Sequence, residues 1–224
     1  MARSFSEKYR PATLAEFLGN PKAVQAARCH AQRGIGSKGF WISGGTGFGK
    51  TTLARILAQT LAPRVDLVEY DSADQISQAE FDRLAAALTS RSLFADMGRV
   101  VIINEAHGLT GRIMRQFLGL LERLPETAAI IFTTTNDGQG VLFENIDGKP
   151  LLHRCEQIPL TNQGLSEVVA QRLVAVGQAE GFSVPLSKAR EVASDGKNSF
   201  RAALEWLGSP QSMAYLDPPA SAVA

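Results

Sequence analysis

Apolar residues in this chain change their period several times, and each change marks an element. Asn20-Pro21 reads as a helix cap and first helical position, followed by Ala23, Val24, Ala26 and Ala27 at helical spacing and a stop at Gly34. The apolar run at 39–43 predicts a strand, and 50–61 returns to helical spacing. Val65 to Tyr70 alternates as a strand does. Ser77-Gln78-Ala79-Glu80 has the form of a capping box, opening a helix to about Leu88. Arg99-Val100-Val101-Ile102-Ile103 is a β-branched run suited to a strand covered on both faces. A helix from Arg112 to about Arg123 ends before Pro125, and Ala128 to Thr134 is a second buried strand.

Strands alternating with helices predict an α/β fold built on a doubly wound, mostly parallel sheet. Beyond a short strand after Arg154 the strand signal disappears. Helical patterns at 164–179, 187–194 and 198–207 then suggest a small helical domain. The expected organisation is a core over 1–160, helices over 161–208 and an unstructured tail over 209–224.

The most informative residues lie between the first strand and the helix after it. Gly44-Gly45-Thr46-Gly47-Phe48-Gly49-Lys50-Thr51 fits the phosphate-loop pattern G-x-x-x-x-G-K-[ST], and Thr52 continues into the helix. Glycines there let the backbone approach an anion closely, while free N–H groups and the helix dipole favour negative charge. Lys50 is placed for the β- and γ-phosphates of a nucleotide, and the Thr51 hydroxyl for Mg²⁺. Ligands of open α/β sheets sit at the carboxyl ends of the strands. Residues 44–51, 104–107 and 135–136 all fall at such ends.

Composition changes this picture little. The 224 residues suffice for one α/β domain and an appendage, and the net charge is +1. That charge is unevenly spread: residues 1–60 hold nine Lys and Arg against two Asp and Glu. A basic first quarter suits polyphosphate or nucleic acid, and equally a solvated basic rim around a nucleotide pocket. No apolar run is long enough to span a bilayer, so no membrane partner is expected. The N-terminus lacks a signal-peptide core, which predicts a cytoplasmic protein. Cys29 and Cys155 lack metal-ligand spacing and are expected as free thiols.

The run Val100–Ile103 ends in Asn104-Glu105-Ala106-His107. Phosphate-loop enzymes normally deliver an acid here to the Mg²⁺ shell. Asn104 is neutral, able to hold a metal-bound water but with no Coulomb attraction for the metal. Glu105 is placed to polarise a water as general base. The alternative is a site that binds nucleotide without turning it over. Thr133-Thr134-Thr135-Asn136 ends the next strand at the same rim, and Asn136 can orient the attacking water. His107 reads as a rim polar residue. Arg154 and Arg201 taken alone read as surface charges.

Together these pieces carry a resemblance. Ser6-Glu7-Lys8-Tyr9-Arg10-Pro11, with Leu14 and Phe17-Leu18-Gly19-Asn20 behind it, resembles the N-terminal box of AAA+ clamp-loader ATPases of the replication factor C small-subunit type. The order of the later motifs agrees, and the likeness covers about residues 4–208. It implies an AAA+ core followed by a helical lid. Tyr9, Arg10, Pro11, Phe17 and Leu18 would flank the adenine. Asn136 would be sensor 1 and Arg201 sensor 2, with Arg154 a finger reaching a neighbouring subunit's ATP. The implied work is ATP-driven opening of a sliding clamp and its placement on primer–template DNA. The partners implied are ATP and ADP, further copies or other loader subunits, the clamp and the DNA. Arg112 and Arg115 would contact DNA phosphates.

Four departures accompany the likeness: Asn104 for the usual aspartate, His153 for a serine, a longer loop at Asp137–Pro150, and no C-terminal collar domain. A small stand-alone member, viral or from a divergent bacterial lineage, fits these features. Two further readings stay open at the level of sequence: a nucleotide-gated subunit that does not hydrolyse ATP, and a AAA+ remodelling regulator such as a helicase loader or transposition factor.

Overall fold

A computed structural model describes residues 4–36, 38–90, 97–135 and 148–216. Five strands form one sheet: β1 (Lys38–Ser43), β2 (Arg64–Tyr70), β3 (Met97–Ile103), β4 (Ala128–Thr134) and β5 (Cys155–Pro159). Their spatial order is β2-β3-β4-β1-β5, with every neighbouring pair parallel. This is the expected parallel α/β sheet. β1 lies between β4 and β5, so the loop leaving it opens at the carboxyl edge one strand in from β5.

Period-two alternation divides the strand residues cleanly between two cores. Trp41, Val101, Ile103, Ile130 and Phe132 face one side, beneath α4 (Gln78–Thr89) and α5 (Gly111–Leu121). There Phe81, Phe117, Phe132 and Trp41 form a chain of rings with centroid spacings of 4.9, 5.4 and 5.4 Å. Phe40, Ile42, Val100, Ile102 and Ile131 face the other side, covered by α2 (Pro21–Arg33) and α3 (Lys50–Thr60). β4 is buried at every position, while the edge strand β2 alternates, as the sequence pattern requires.

After β5 come α7 (Leu165–Ala179), α8 (Leu186–Asp195) and α9 (Phe200–Leu207), preceded by the short α6 (Gly148–His153). The last three build their own apolar cluster around Val169, Leu173, Val176, Ala189, Val192 and Leu204. The N-terminal α1 (Phe5–Lys8) packs against that cluster through Phe5 and Tyr9. The two ends of the described chain thus meet.

Three sequence expectations need correction. The stretch from 209, expected to lack structure, forms a 3₁₀ turn over Pro210–Tyr215. Its Ser212 is buried, and Leu216 bridges Phe182. That turn is held by Ser212 hydrogen bonds and a backbone bridge, which leave no periodic pattern. Ser77 does cap α4 by accepting from the Glu80 N–H at 3.3 Å. The Glu80 carboxylate, however, turns away to the Tyr70 hydroxyl and Arg83, so the capping box is half made. Asn20 precedes α2 as expected but makes no side-chain cap. It adopts left-handed geometry, with φ of 49°, and its buried Oδ1 accepts from the Thr161 N–H at 2.7 Å. A residue of the N-terminal box therefore fastens the chain where it passes from the sheet to the C-terminal helices.

This bond makes a prediction. Asn20→Ala leaves the Thr161 N–H without its acceptor and keeps a strained backbone, so it should cost about 2–3 kcal/mol in thermal or denaturant unfolding. Asn20→Gly relieves the strain and should cost about 1 kcal/mol less.

Candidate functional site

The loop leaving β1 is shaped by two close approaches. Gly49 opens α3 in left-handed geometry, with φ of 93°. Gly47 has φ of 79°, and a Cβ there would lie 1.8 Å from Ser199 Oγ, just ahead of α9. Only glycine lets the loop fold so tightly while the C-terminal helices sit against it. Ser199 in turn caps α9, accepting from the Ala202 N–H at 3.1 Å.

Lys50 is 7% exposed and donates to the Gly44 and Gly45 carbonyls at 3.1 and 3.0 Å. Burial lowers its pKa; attraction to Glu105 opposes that shift, and repulsion from Arg201 adds to it. No carboxylate is bonded to it among the described residues. An ammonium held this way is suited to an incoming anion, whose charge offsets the cost of its burial.

Beside the loop lies a cleft of about 670 Å³, including its open mouth. Tyr9, Arg10, Pro11, Phe17 and Leu18 line one wall, Gly47, Phe48, Gly49 and Thr52 the floor, and Phe200, Arg201 and Leu204 the far side. Its size and largely apolar lining suit a planar base next to a phosphate loop. Arg10 donates to Thr52 Oγ1 at 3.1 Å, tying the N-terminal box to α3. Tyr9 and Lys8 both donate to Glu180 Oε1 at 2.5 Å, just beyond α7. The Lys8 bond first and the Tyr9 bond second hold the Glu180 carboxyl below its usual pKa.

At the end of β3, Asn104 and Glu105 separate in role. The Glu105 backbone is left-handed, with φ of 49°, and its carboxylate projects to the half-exposed rim. His107 Nδ1 lies 3.5 Å from Glu105 Oε2 and 3.4 Å from Thr134 Oγ1, which makes His107 a rim polar residue. Asn104 is buried, and its Oδ1 already accepts from Thr51 and Thr133, both at 2.9 Å. Asn136 lies outside the described residues.

Of the residues expected around a nucleotide, Tyr9, Arg10, Pro11, Phe17, Leu18, Gly47, Phe48, Gly49, Thr52 and Arg201 line one cleft. The Thr51 hydroxyl presents a hard oxygen beside the phosphate loop, which fits Mg²⁺ shared with a nucleotide. Thr51 would ligate the metal. Asn104 could hold a metal-bound water only by giving up one hydroxyl it now accepts from.

Two expected groups lie elsewhere. Arg154 precedes β5, where Cys155 pairs with Gly39, whereas the phosphate loop leaves β1 after Ser43. Arg154 therefore sits at the opposite edge of the sheet, roughly 16 Å along the strands from the chain's own loop. There it forms an exposed ion pair with Glu122. Neighbouring Cys155 is buried, which pushes its thiol up to about 12 and leaves it inert. Arg112 and Arg115 are exposed on the first turns of α5, whose apolar face is Ile113, Met114, Phe117 and Leu120.

Sequence reasoning missed Glu69, Glu180, Arg172 and Ser199. Arg172 lines the cleft and donates to the Tyr9 carbonyl at 3.2 Å. Only Glu69 carried a local signal, as an acid at the carboxyl end of an alternating strand.

Removing the buried ammonium should separate binding from folding. Lys50→Met should leave the melting temperature of the nucleotide-free protein unchanged or higher. It should weaken binding of a labelled ATP analogue by about a hundredfold or more, read by fluorescence anisotropy.

A profile described as "ATPase family associated with various cellular activities (AAA)" matches residues 40–161. The replication factor C large subunit of Methanocella arvoryzae is 32% identical over 212 residues, covering 92% of this chain and 36% of that protein. The replication factor C large subunit of Methanoregula boonei is 30% identical over 207 residues, covering 91% and 41%. The chain therefore spans roughly two fifths of the length of these relatives. A variant of Thermotoga maritima RuvB superposes with a TM-score of 0.69 at 20% identity, over 89% of this chain and 64% of that one, so the two share a fold. Among the described residues no helix is long and apolar enough to cross a membrane. With the phosphate loop, the parallel five-stranded sheet and the matched profile in agreement, the chain belongs to the AAA family of ATPases.

Proposed function

We propose that this chain is an Mg²⁺-dependent ATPase of the clamp-loader type whose site is completed by a second subunit. The observation that carries the reading is the split of its machinery between two edges of one sheet. The phosphate loop, Lys50, Glu105 and Arg201 share the carboxyl edge, while Arg154 stands at the other. An arginine at that distance has no work on its own chain's nucleotide and, by leaving its exposed ion pair with Glu122, can serve a neighbour's.

In this reading the cleft takes ATP with its adenine among Tyr9, Arg10, Pro11, Phe17 and Leu18. The loop from Gly45 to Thr52 cradles the phosphates. Bound Mg²⁺ would offset charge on the β- and γ-phosphates, with Thr51 among its ligands and Asn104 behind it. Glu105 accepts a proton from a water whose oxygen bonds to the γ-phosphorus. The bond from that phosphorus to the β,γ-bridging oxygen breaks, and its electron pair leaves with ADP. Lys50, Arg201 and a neighbour's Arg154 stabilise the charge that builds on the transferred group, with Asn136 orienting the water. Residues 161–208 act as a lid over the core of residues 1–160, reporting nucleotide through Ser199 and Arg201.

The partners proposed are further copies of this chain or other loader subunits, a sliding clamp and primer–template DNA. Arg112 and Arg115, three apart on the outer face of α5, suit contact with successive backbone phosphates. A second reading is favoured by one observation: Asn104 brings no charge, so the site can bind ATP and change shape without turning it over.

ATP turnover on primed DNA separates the two. Glu105→Gln should lower turnover by about 10²–10⁴-fold while the ATP analogue still binds. Arg154→Ala should lower it by about 10³-fold or more, again with binding kept. Equal background rates in the unaltered protein and Glu105→Gln would reject hydrolysis and favour the gated reading.

A further inference from the structure

Asn104 has four polar capacities besides its backbone, and all four are used. One Nδ2 proton goes to Glu69 Oε1 at 2.9 Å and the other to the Tyr70 carbonyl at 3.1 Å. Oδ1 accepts from Thr51 and from Thr133. The side chain is 5% exposed, so water does not substitute for these partners. Two of the four are pure acceptors. They hold the NH₂ end toward β2 and leave the carbonyl end facing Thr51.

Glu69 is itself fixed. Arg55 Nε donates to its Oε2 at 2.7 Å, and an Arg55 terminal nitrogen donates to its Oε1 at 3.0 Å, a two-pronged pair. Arg55 stands one helical turn after Thr51 on α3, on the same face. The links therefore close a ring: Thr51 to Asn104, Asn104 to Glu69, Glu69 to Arg55, and Arg55 back along α3 to Thr51. The carboxylate charge lies beyond the amide and is matched by the guanidinium.

We propose that Glu69 is a positioning residue for the nucleotide site, and that it makes an amide at 104, not a carboxylate, the group this site requires. An aspartate at 104 has no proton for Glu69 Oε1 or the Tyr70 carbonyl. It would set one of its oxygens against two acceptors within about 3 Å, in a place with little access to solvent. The sequence reads Asn104 as a lost aspartate; the ring reads it as the partner of Glu69. The pairing stands on its own geometry, whereas its consequence for Mg²⁺ rests on the reading of the cleft as an ATP site.

The test is a double-mutant cycle on the full chain with Asn104→Asp, Glu69→Gln and the pair together. The readouts are the melting temperature and the dissociation constant of a labelled ATP analogue with and without Mg²⁺. Asn104→Asp alone should lower the melting temperature and give no tighter Mg²⁺-dependent binding. Adding Glu69→Gln supplies an amide donor for the new carboxylate. It should recover part of the melting temperature and tighten Mg²⁺-dependent binding about tenfold over the single variant. Glu69→Gln alone should weaken binding in Mg²⁺ and leave the Mg²⁺-free constant unchanged, a split that general loosening of the fold would not give. If Asn104→Asp alone tightened Mg²⁺-dependent binding about tenfold with no loss of melting temperature, or if the two substitutions simply added, the proposal would be overturned. If the unaltered protein bound no nucleotide, the ATP reading would fall. The pair would then be judged by melting temperature alone, supported by non-additive and overturned by additive changes.

Discussion

The site depends on a parallel sheet ending at one edge with its polar groups paired before a ligand arrives. Asn104 is where that pairing converges. It is buried at the end of β3, and it joins the ends of β2 and β4 to the first turn of α3. Parallel strands deliver their carboxyl ends to a common rim, and burial makes each unpaired group there costly. The phosphate loop is thus anchored on its helical side by hydrogen bonds as well as by packing. On its other side the loop touches Ser199, so a shift in the loop reaches α9 directly.

The N-terminal box gives this core a second connection to the C-terminal helices. Tyr9 and Lys8 reach Glu180, Arg172 reaches the Tyr9 carbonyl, and Asn20 holds the Thr161 N–H. The cleft is walled by a segment held at its start to α3 through Arg10 and to α7 through Tyr9, and at its far end to Thr161 through Asn20. A ligand filling the cleft touches both bodies and so favours arrangements in which they approach. In the proposed reading, such differential contact would let ATP bias the angle between them.

What was legible in the sequence was what is local. The phosphate loop is read from eight consecutive residues because backbone sterics and helix-end electrostatics act over that span. The buried strands β3 and β4 are unbroken apolar runs, and the edge position of β2 shows in its alternation. Less was legible where a side chain serves a distant partner. Asn20 reads as a cap because the local rule applies, yet its acceptor is used by Thr161, far along the chain. Glu69 could not be assigned without the register that sets Tyr70 beside Ile103. The turn after 209 shows no period because one buried serine and one backbone bridge hold it. Asn104 was visible as a departure; that it is matched to Glu69 emerges only when β2 and β3 lie side by side.

The chain's own Arg154 faces Glu122 at the far edge of the sheet from its phosphate loop. In the proposed reading, in which Arg154 serves a neighbour's nucleotide, two damaged chains can make one intact site. The most direct measurement is ATP turnover by a mixture of Lys50→Met, which keeps the finger but loses the phosphate contact, with Arg154→Ala, which keeps the phosphate contact but loses the finger. A site shared between subunits predicts that the mixture hydrolyses ATP well above the sum of the two variants alone. Turnover equal to that sum at every mixing ratio would contradict it.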